Sequence, residues 1–173
     1  MPRKLFHVIL NRPTKYDDDG YPIHWHRTTI PANSLACLNG IVRDCEKRKV
    51  LGRDIDLNIL SIDEGNSRIL PEKLIAHINR NGGRGLVCFT GVQSNQFPRA
   101  VDLAHTFLKA GLPVSIGGFH VTGCMAMLPE MPIEMLEAQK HGISFFWAKL
   151  KAGASTRFCE MPSKANSNRS ITI

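Results

Sequence analysis

Five short runs rich in β-branched and aromatic residues alternate along the chain with longer segments whose apolar residues recur at helical spacing. The runs are Lys4 to Leu10, Ile55 to Ile62, residues 85–90, residues 113–117 and Ile143 to Trp147. Between them Leu35, Leu38, Ile41, Val42 and Cys45 keep a helical period. So do Leu74, Ile75 and Ile78, then Ala100, Val101, Ala104, Phe107 and Leu108, with a weaker helix over about 131–140. The punctuation agrees: Asn33 or Ser34 suits a helix start, Pro71 a first turn, and Asn81-Gly82-Gly83 and Gly111 are stops. Parallel neighbours need crossover connections, which helices supply with right-handed sense. The pattern predicts one α/β domain: a doubly wound, five-stranded parallel sheet with four helices and no internal repeat.

At 173 residues the chain can bury a self-sufficient core. No apolar run approaches the roughly 20 residues that a membrane span needs. Met1-Pro2-Arg3-Lys4 leads into the first strand without a small-residue cleavage site, which reads as a strand and not a signal peptide. The cysteines at 37, 45, 88, 124 and 159 are odd in number and never spaced Cys-x-x-Cys. Buried thiols in a reducing cytoplasm are the expectation. The net charge of +7 invites a nucleic-acid reading until it is located. Residues 147–173 carry five basic residues against one acidic, so the other 146 residues hold only +3. They show no basic stripe interleaved with aromatics, and neither nucleic acid nor membrane is expected as a partner.

Two strands end in a way that points to a site. Residues 113–117 run into Gly117-Gly118-Phe119-His120, and residues 86–90 run into Gly91-Val92-Gln93-Ser94. Glycines at a strand end permit close approach by a phosphate or another molecule's backbone. Both lie on one rim of the expected sheet, where open α/β folds bind ligands. Gly117, Gly118 and His120 are therefore candidates to line a ligand, against the plainer reading of a tight turn with a bonded histidine. Ser94, Asn95 and the amides that follow form either an anion site or a helix cap.

Other groupings are weaker. Asp17-Asp18-Asp19 lacks the spacing of a calcium loop and reads as a solvated turn. His24 and His26 lack a third ligand nearby in sequence, so no metal site is expected. His120 and Cys124 have the makings of a nucleophile–base pair, but the sequence offers no evident orienting third group, and no catalytic residue is assigned. His7, on a core strand, reads as structural. The aromatic-rich loop from Lys15 towards Pro31 is expected to be ordered and packed. Neither Gly-x-Gly-x-x-Gly after the first strand nor a P-loop pattern is present.

Three stretches carry a family resemblance: Leu10 to Pro22 (LNRPTKYDDDGYP), Gly91 to Ala100 (GVQSNQFPRA) and Gly117 to Cys124 (GGFHVTGC). Over about residues 4–146 the chain resembles the N-terminal cobalamin-binding domain of cobalamin-dependent radical SAM proteins. The resemblance implies a Rossmann-like, flavodoxin-like domain that holds cobalamin on the C-terminal rim of the sheet, with the nucleotide tail between strands. It implies that Gly91, Val92, Gln93 and Ser94 face the corrin or its tail. Gly117, Gly118 and His120 would border the same pocket, and Thr14 belongs to the cofactor-binding set. No Asp-x-His-x-x-Gly is present, so cobalt would have no protein histidine as lower axial ligand.

The same resemblance implies S-adenosylmethionine and an iron–sulfur cluster in a barrel carrying Cys-x-x-x-Cys-x-x-Cys. The chain has no such motif. It departs from the family after the fifth strand, where a Gly-Glu-x-Glu-Gly-like stretch is expected. Codons permitted for Trp147 to Ala152, read in a shifted frame, spell Gly-Glu-Ala-Glu-Gly, and those for Arg157 to Pro162 allow Val-Leu-Arg-Asp-Ala. Residues 1–146 are thus expected to form the cobalamin domain, and 147–173 a disordered, frameshifted tail on a truncated fragment of a cytoplasmic radical SAM enzyme, a methyl transferase being one such enzyme. A barrel encoded downstream would be its partner, and the module alone would not catalyse. A small flavodoxin-like enzyme acting on a phosphorylated metabolite through His120 and Ser94, and a nonfunctional remnant, are the alternatives.

Overall fold

β-Branched or aromatic residues recur in every strand of the sheet, and alternation decides which face each side chain serves. The computed structural model describes residues 3–26 and 32–147, and the backbone of 171–172. The expected strands are all present: β1 (Lys4–Arg12), β2 (Ile55–Asp63), β3 (Gly85–Phe89), β4 (Val114–Gly117) and β5 (Ile143–Trp147). They pair in parallel in the order β2-β1-β3-β4-β5. This is an α/β doubly wound, Rossmann-like fold. A two-residue strand, β6 (Ile171–Thr172), extends the sheet beyond the five expected strands by pairing parallel with Phe146 and Trp147. The edge of β5 offers the unpaired backbone groups that such an addition needs. The rest of the 147–173 tail beyond Trp147 lies outside the described residues.

The helices are α1 (Asn33–Lys47), α2 (Pro71–Arg80), α3 (Phe97–Lys109), α4 (Phe119–Met127) and α5 (Ile133–Lys140), with one 3-10 turn at Ser94–Gln96. Val8 and Leu10 of β1 pack with Leu35 and Val42 of α1 on one face. Ile9, Val87, Phe89, Val114, Ile116, Ile143 and Phe145 point to the opposite face, against Ile78 of α2, Ala104 and Phe107 of α3 and Met135 of α5. That second layer is the larger core. Among the described residues there is one helix more than the four expected. α4 has no amphipathic period to read, because Phe119-His120-Val121-Thr122-Gly123-Cys124-Met125-Ala126-Met127 is apolar around most of its circumference and includes β-branched residues and a glycine. It forms where β4 ends and its chain is anchored by neighbouring loops.

No helix among the described residues is long and apolar enough to cross a membrane. The thiols are less uniformly buried than expected: Cys45 is buried, Cys88 and Cys124 are half-buried, and Cys37 is exposed on α1. Helical spacing brought Cys37 into the segment without placing it on the apolar stripe. Burial still pushes the Cys88 thiol up to about 12, because the side chain packs against the apolar cluster of Val8, Leu10, Leu35 and Val42.

Candidate functional site

The C-terminal rim of the sheet divides at the switch point between β1 and β3, from which the connections run in opposite directions. On the β1–β2 side the loop after β1 is packed over its described part, to residue 26; residues 27–31 lie outside the described residues. Lys15 O accepts from Ile23 N, Asp17 N donates to Tyr21 O, and Trp25 N donates to Gly65 O. Asp17 Oδ1 accepts from the amides of Asp19 and Tyr21 at 3.1 and 2.7 Å, which makes the acidic run a turn built by its first carboxylate. Thr14 is buried and both its polar groups are engaged: its amide donates to Glu64 Oε2 at 3.0 Å and its hydroxyl to Ile23 O at 2.7 Å. His24 Nδ1 lies 2.9 Å from Glu64 O. Among the described residues no cluster of three potential ligands could hold a metal ion.

Glu64 anchors this side. Its side chain is fully buried and meets Arg99 of α3, with Nη2 at 2.6 Å and Nε at 3.2 Å from Oε1. Arg99 also lies over the Tyr16 ring, 5.6 Å from its centroid, and the Tyr16 hydroxyl donates to Asp102 at 2.6 Å. Burial and the Asp102 carboxylate both push the Tyr16 phenol upward. Sequence reading assigned nothing to Glu64 because a lone carboxylate after a strand has no local signature. Arg99, thirty-five residues away, supplies its meaning.

The β3–β4 side is built differently. Gly118 has φ of +142°, and a Cβ there would sit 2.1 Å from Val92 N and 2.6 Å from Gly91 C. A Cβ on Gly117 would stand 2.8 Å from Phe146 O. The close approach that these glycines permit is therefore made by the chain itself, a correction to the expectation that a phosphate or foreign backbone fills that space. Val92 N donates to Gly117 O at 3.1 Å, and His120 N donates to Val92 O at 3.0 Å. Val92 is fully buried, and Gly91 abuts Ser34 of α1.

This stitching brings the ends of β3 and β4 together. His120 is buried at the start of α4, its ring 4.4 Å from that of Phe97. His120 Nδ1 is 3.1 Å from Ser94 Oγ, and Nε2 is 3.6 Å from Glu134 Oε1 of α5. Desolvation lowers its pKa from the ordinary 6.5, opposed by Glu134. The orienting carboxylate that the sequence did not reveal is thus present, fourteen residues downstream. Cys124 Sγ lies 3.9 Å from Nδ1, but burial and then Glu134 raise its pKa, so Ser94 is the better-placed partner. Gln93, Ser94 and Phe119 line a cleft of about 310 Å³. Phe119 is 84% exposed at its mouth.

Two further polar residues stand at the switch point. The amide of Asn11, near the end of β1, and the hydroxyl of Thr90, just after β3, are buried without hydrogen-bond partners. Thr90 N donates to Asn11 O at 2.8 Å, which ties the two positions together. Unpartnered buried polar groups are costly and concentrate at functional sites. Alternation hid Asn11, since it occupies a position that the pattern reserves for core. His7 is also buried, with Nε2 3.1 Å from Asn81 O and Nδ1 without a partner. No family model, curated protein or solved structure matches this chain.

Proposed function

We propose that residues 1–146 form a cobalamin-binding module of the kind that precedes a radical SAM barrel, acting in the cytoplasm. The fold agrees with this reading. The observation that carries it is the β3–β4 rim: an exposed aromatic face, Phe119, beside the amide of Gln93 and the hydroxyl of Ser94 in one cleft. An apolar macrocycle fringed with amide groups is the type of ligand such a surface suits. A cleft of about 310 Å³ is too small for a whole corrinoid, so the macrocycle would lie across its mouth over Phe119. The orphaned groups of Asn11 and Thr90 would meet polar groups of the ligand at the switch point.

Gly91, Val92, Gly117 and Gly118 serve by holding the rim in shape. His120 is turned inward to Ser94 and Glu134, in keeping with cobalt lacking a histidine from this chain. When bound, cobalamin supplies the one-carbon or electron-transfer chemistry that side chains lack, and the domain contributes binding and orientation. S-adenosylmethionine and an iron–sulfur cluster would belong to a barrel partner. The test is retention: hydroxocobalamin is mixed with purified protein, the mixture is desalted, and the visible spectrum is recorded. Corrin absorbance in the protein fraction supports the reading. Its complete loss from a protein with a folded circular-dichroism spectrum would overturn it. Sequencing the gene from codon 147 onward tests the frameshift: an intact radical SAM frame immediately downstream supports it, and an unrelated sequence refutes it.

A further inference from the structure

Ser94 lines the proposed cofactor cleft, but cofactor binding gives no work to its pairing with His120 and Glu134. We propose that the three form a nucleophile–base–carboxylate relay able to hydrolyse esters of small, uncharged acyl groups. Three observations carry this, each independent of cobalamin. Ser94 Oγ lies 3.1 Å from His120 Nδ1, within reach for proton transfer. Glu134 Oε1 lies 3.6 Å from the other ring nitrogen, where it favours the tautomer protonated on Nε2 and leaves Nδ1 free to accept. Ser94 is exposed and lines the cleft, whereas His120 is buried and wedged against Phe97. The nucleophile is reachable while its base is sheltered and held in one orientation. A burial-lowered histidine is neutral at pH 7 and available as a base.

In the step, Ser94 Oγ bonds to the ester carbonyl carbon as its proton passes to His120 Nδ1. The carbon–oxygen bond to the alcohol then breaks, and the same proton goes to the departing alkoxide. Water attacks the acyl-serine, gives a proton to Nδ1, and the acid leaves as Ser94 recovers that proton. Gln93, Ser94 and Phe119 carry no charge, so the cleft they line favours a neutral acyl group. Glu134 is a positioning residue, since it reaches the reaction only through His120.

The experiment uses the full chain without cobalamin and two probes, a fluorophosphonate and p-nitrophenyl acetate. One covalent adduct per chain is expected, mapping to the peptide that contains Ser94. Ser94→Ala should abolish it, and Glu134→Gln, at an exposed carboxylate, should slow both labelling and ester hydrolysis by about 10-fold. The wild-type rate should rise with pH through one step centred below 6.5, the ordinary value from which His120 is lowered. Folded wild-type protein that takes no label, or Ser94→Ala labelled at the wild-type rate, would overturn the proposal. Retention of corrin without labelling sinks this inference alone, and labelling without retention sinks only the cofactor reading.

Discussion

The two halves of the rim are held by opposite means. On the β1–β2 side, side-chain charge does the holding: Glu64 is buried against Arg99, Arg99 covers Tyr16, and Thr14 is tied to Glu64 and Ile23. On the β3–β4 side the backbones of Gly91–Val92 and Gly117–Gly118 interlock, and the side chains of Gln93, Ser94 and Phe119 are left facing solvent. The polar groups gathered around Glu64 are engaged with one another and have little left to offer a ligand. A region secured by its main chain keeps its side chains for other work. On this difference rests the proposal that the ligand cleft lies on the β3–β4 half.

Breaking the interlock should cost most. Gly118→Val places a branched side chain into the Val92 backbone at a positive φ, and a loss of about 4 kcal/mol in urea unfolding is expected from strain and overlap together. A loss below about 1 kcal/mol would mean that the rim can open there, and would restore the glycines as a space for ligand. Glu64→Ala strips Arg99 of its buried partner and should cost about 3 kcal/mol, while the cleft across the rim keeps its affinity for corrin. Thr14→Val removes one hydroxyl that donates inside the loop, worth about 1 kcal/mol. Cobalamin retention should survive it, and loss of retention with the fold intact would extend the site onto the β1–β2 half.

The smallest effect concerns pH. His120 has a folded pKa below its ordinary 6.5 because burial disfavours the cation. The unfolded chain therefore binds the proton more readily, so stability is at its full value above pH 6.5 and falls as pH drops below it. His120→Gln should lose less stability than wild type between pH 7.5 and pH 5.5, read from urea midpoints. An identical slope in both proteins would place the histidine in a more solvated setting than the fold gives it.

The sheet was legible because its strands are bounded by glycine and proline and separated by helices with a clear apolar stripe, as in α3. α4 was not, since a helix apolar around most of its circumference has no period to betray it. The rim motifs are legible from glycine placement, but what stands against the glycines is not. Gly118 is glycine because Val92 comes against it, a contact between residues twenty-six apart that no local pattern displays. The same limit hid the pairing of Glu64 with Arg99 and the approach of Glu134 to His120. Spacing along a chain reveals ligands on one helix or loop, but not partners that the fold brings from separate elements.

The most direct measurement is a visible-spectrum titration of hydroxocobalamin into wild type, Phe119→Asp and Thr14→Val, each first shown to be folded. Wild type and Thr14→Val are expected to bind within about two-fold of one another, and Phe119→Asp at least about 10-fold more weakly, a loss of about 1.4 kcal/mol. Equal binding by Phe119→Asp and wild type, or no binding by any folded protein, would contradict that expectation.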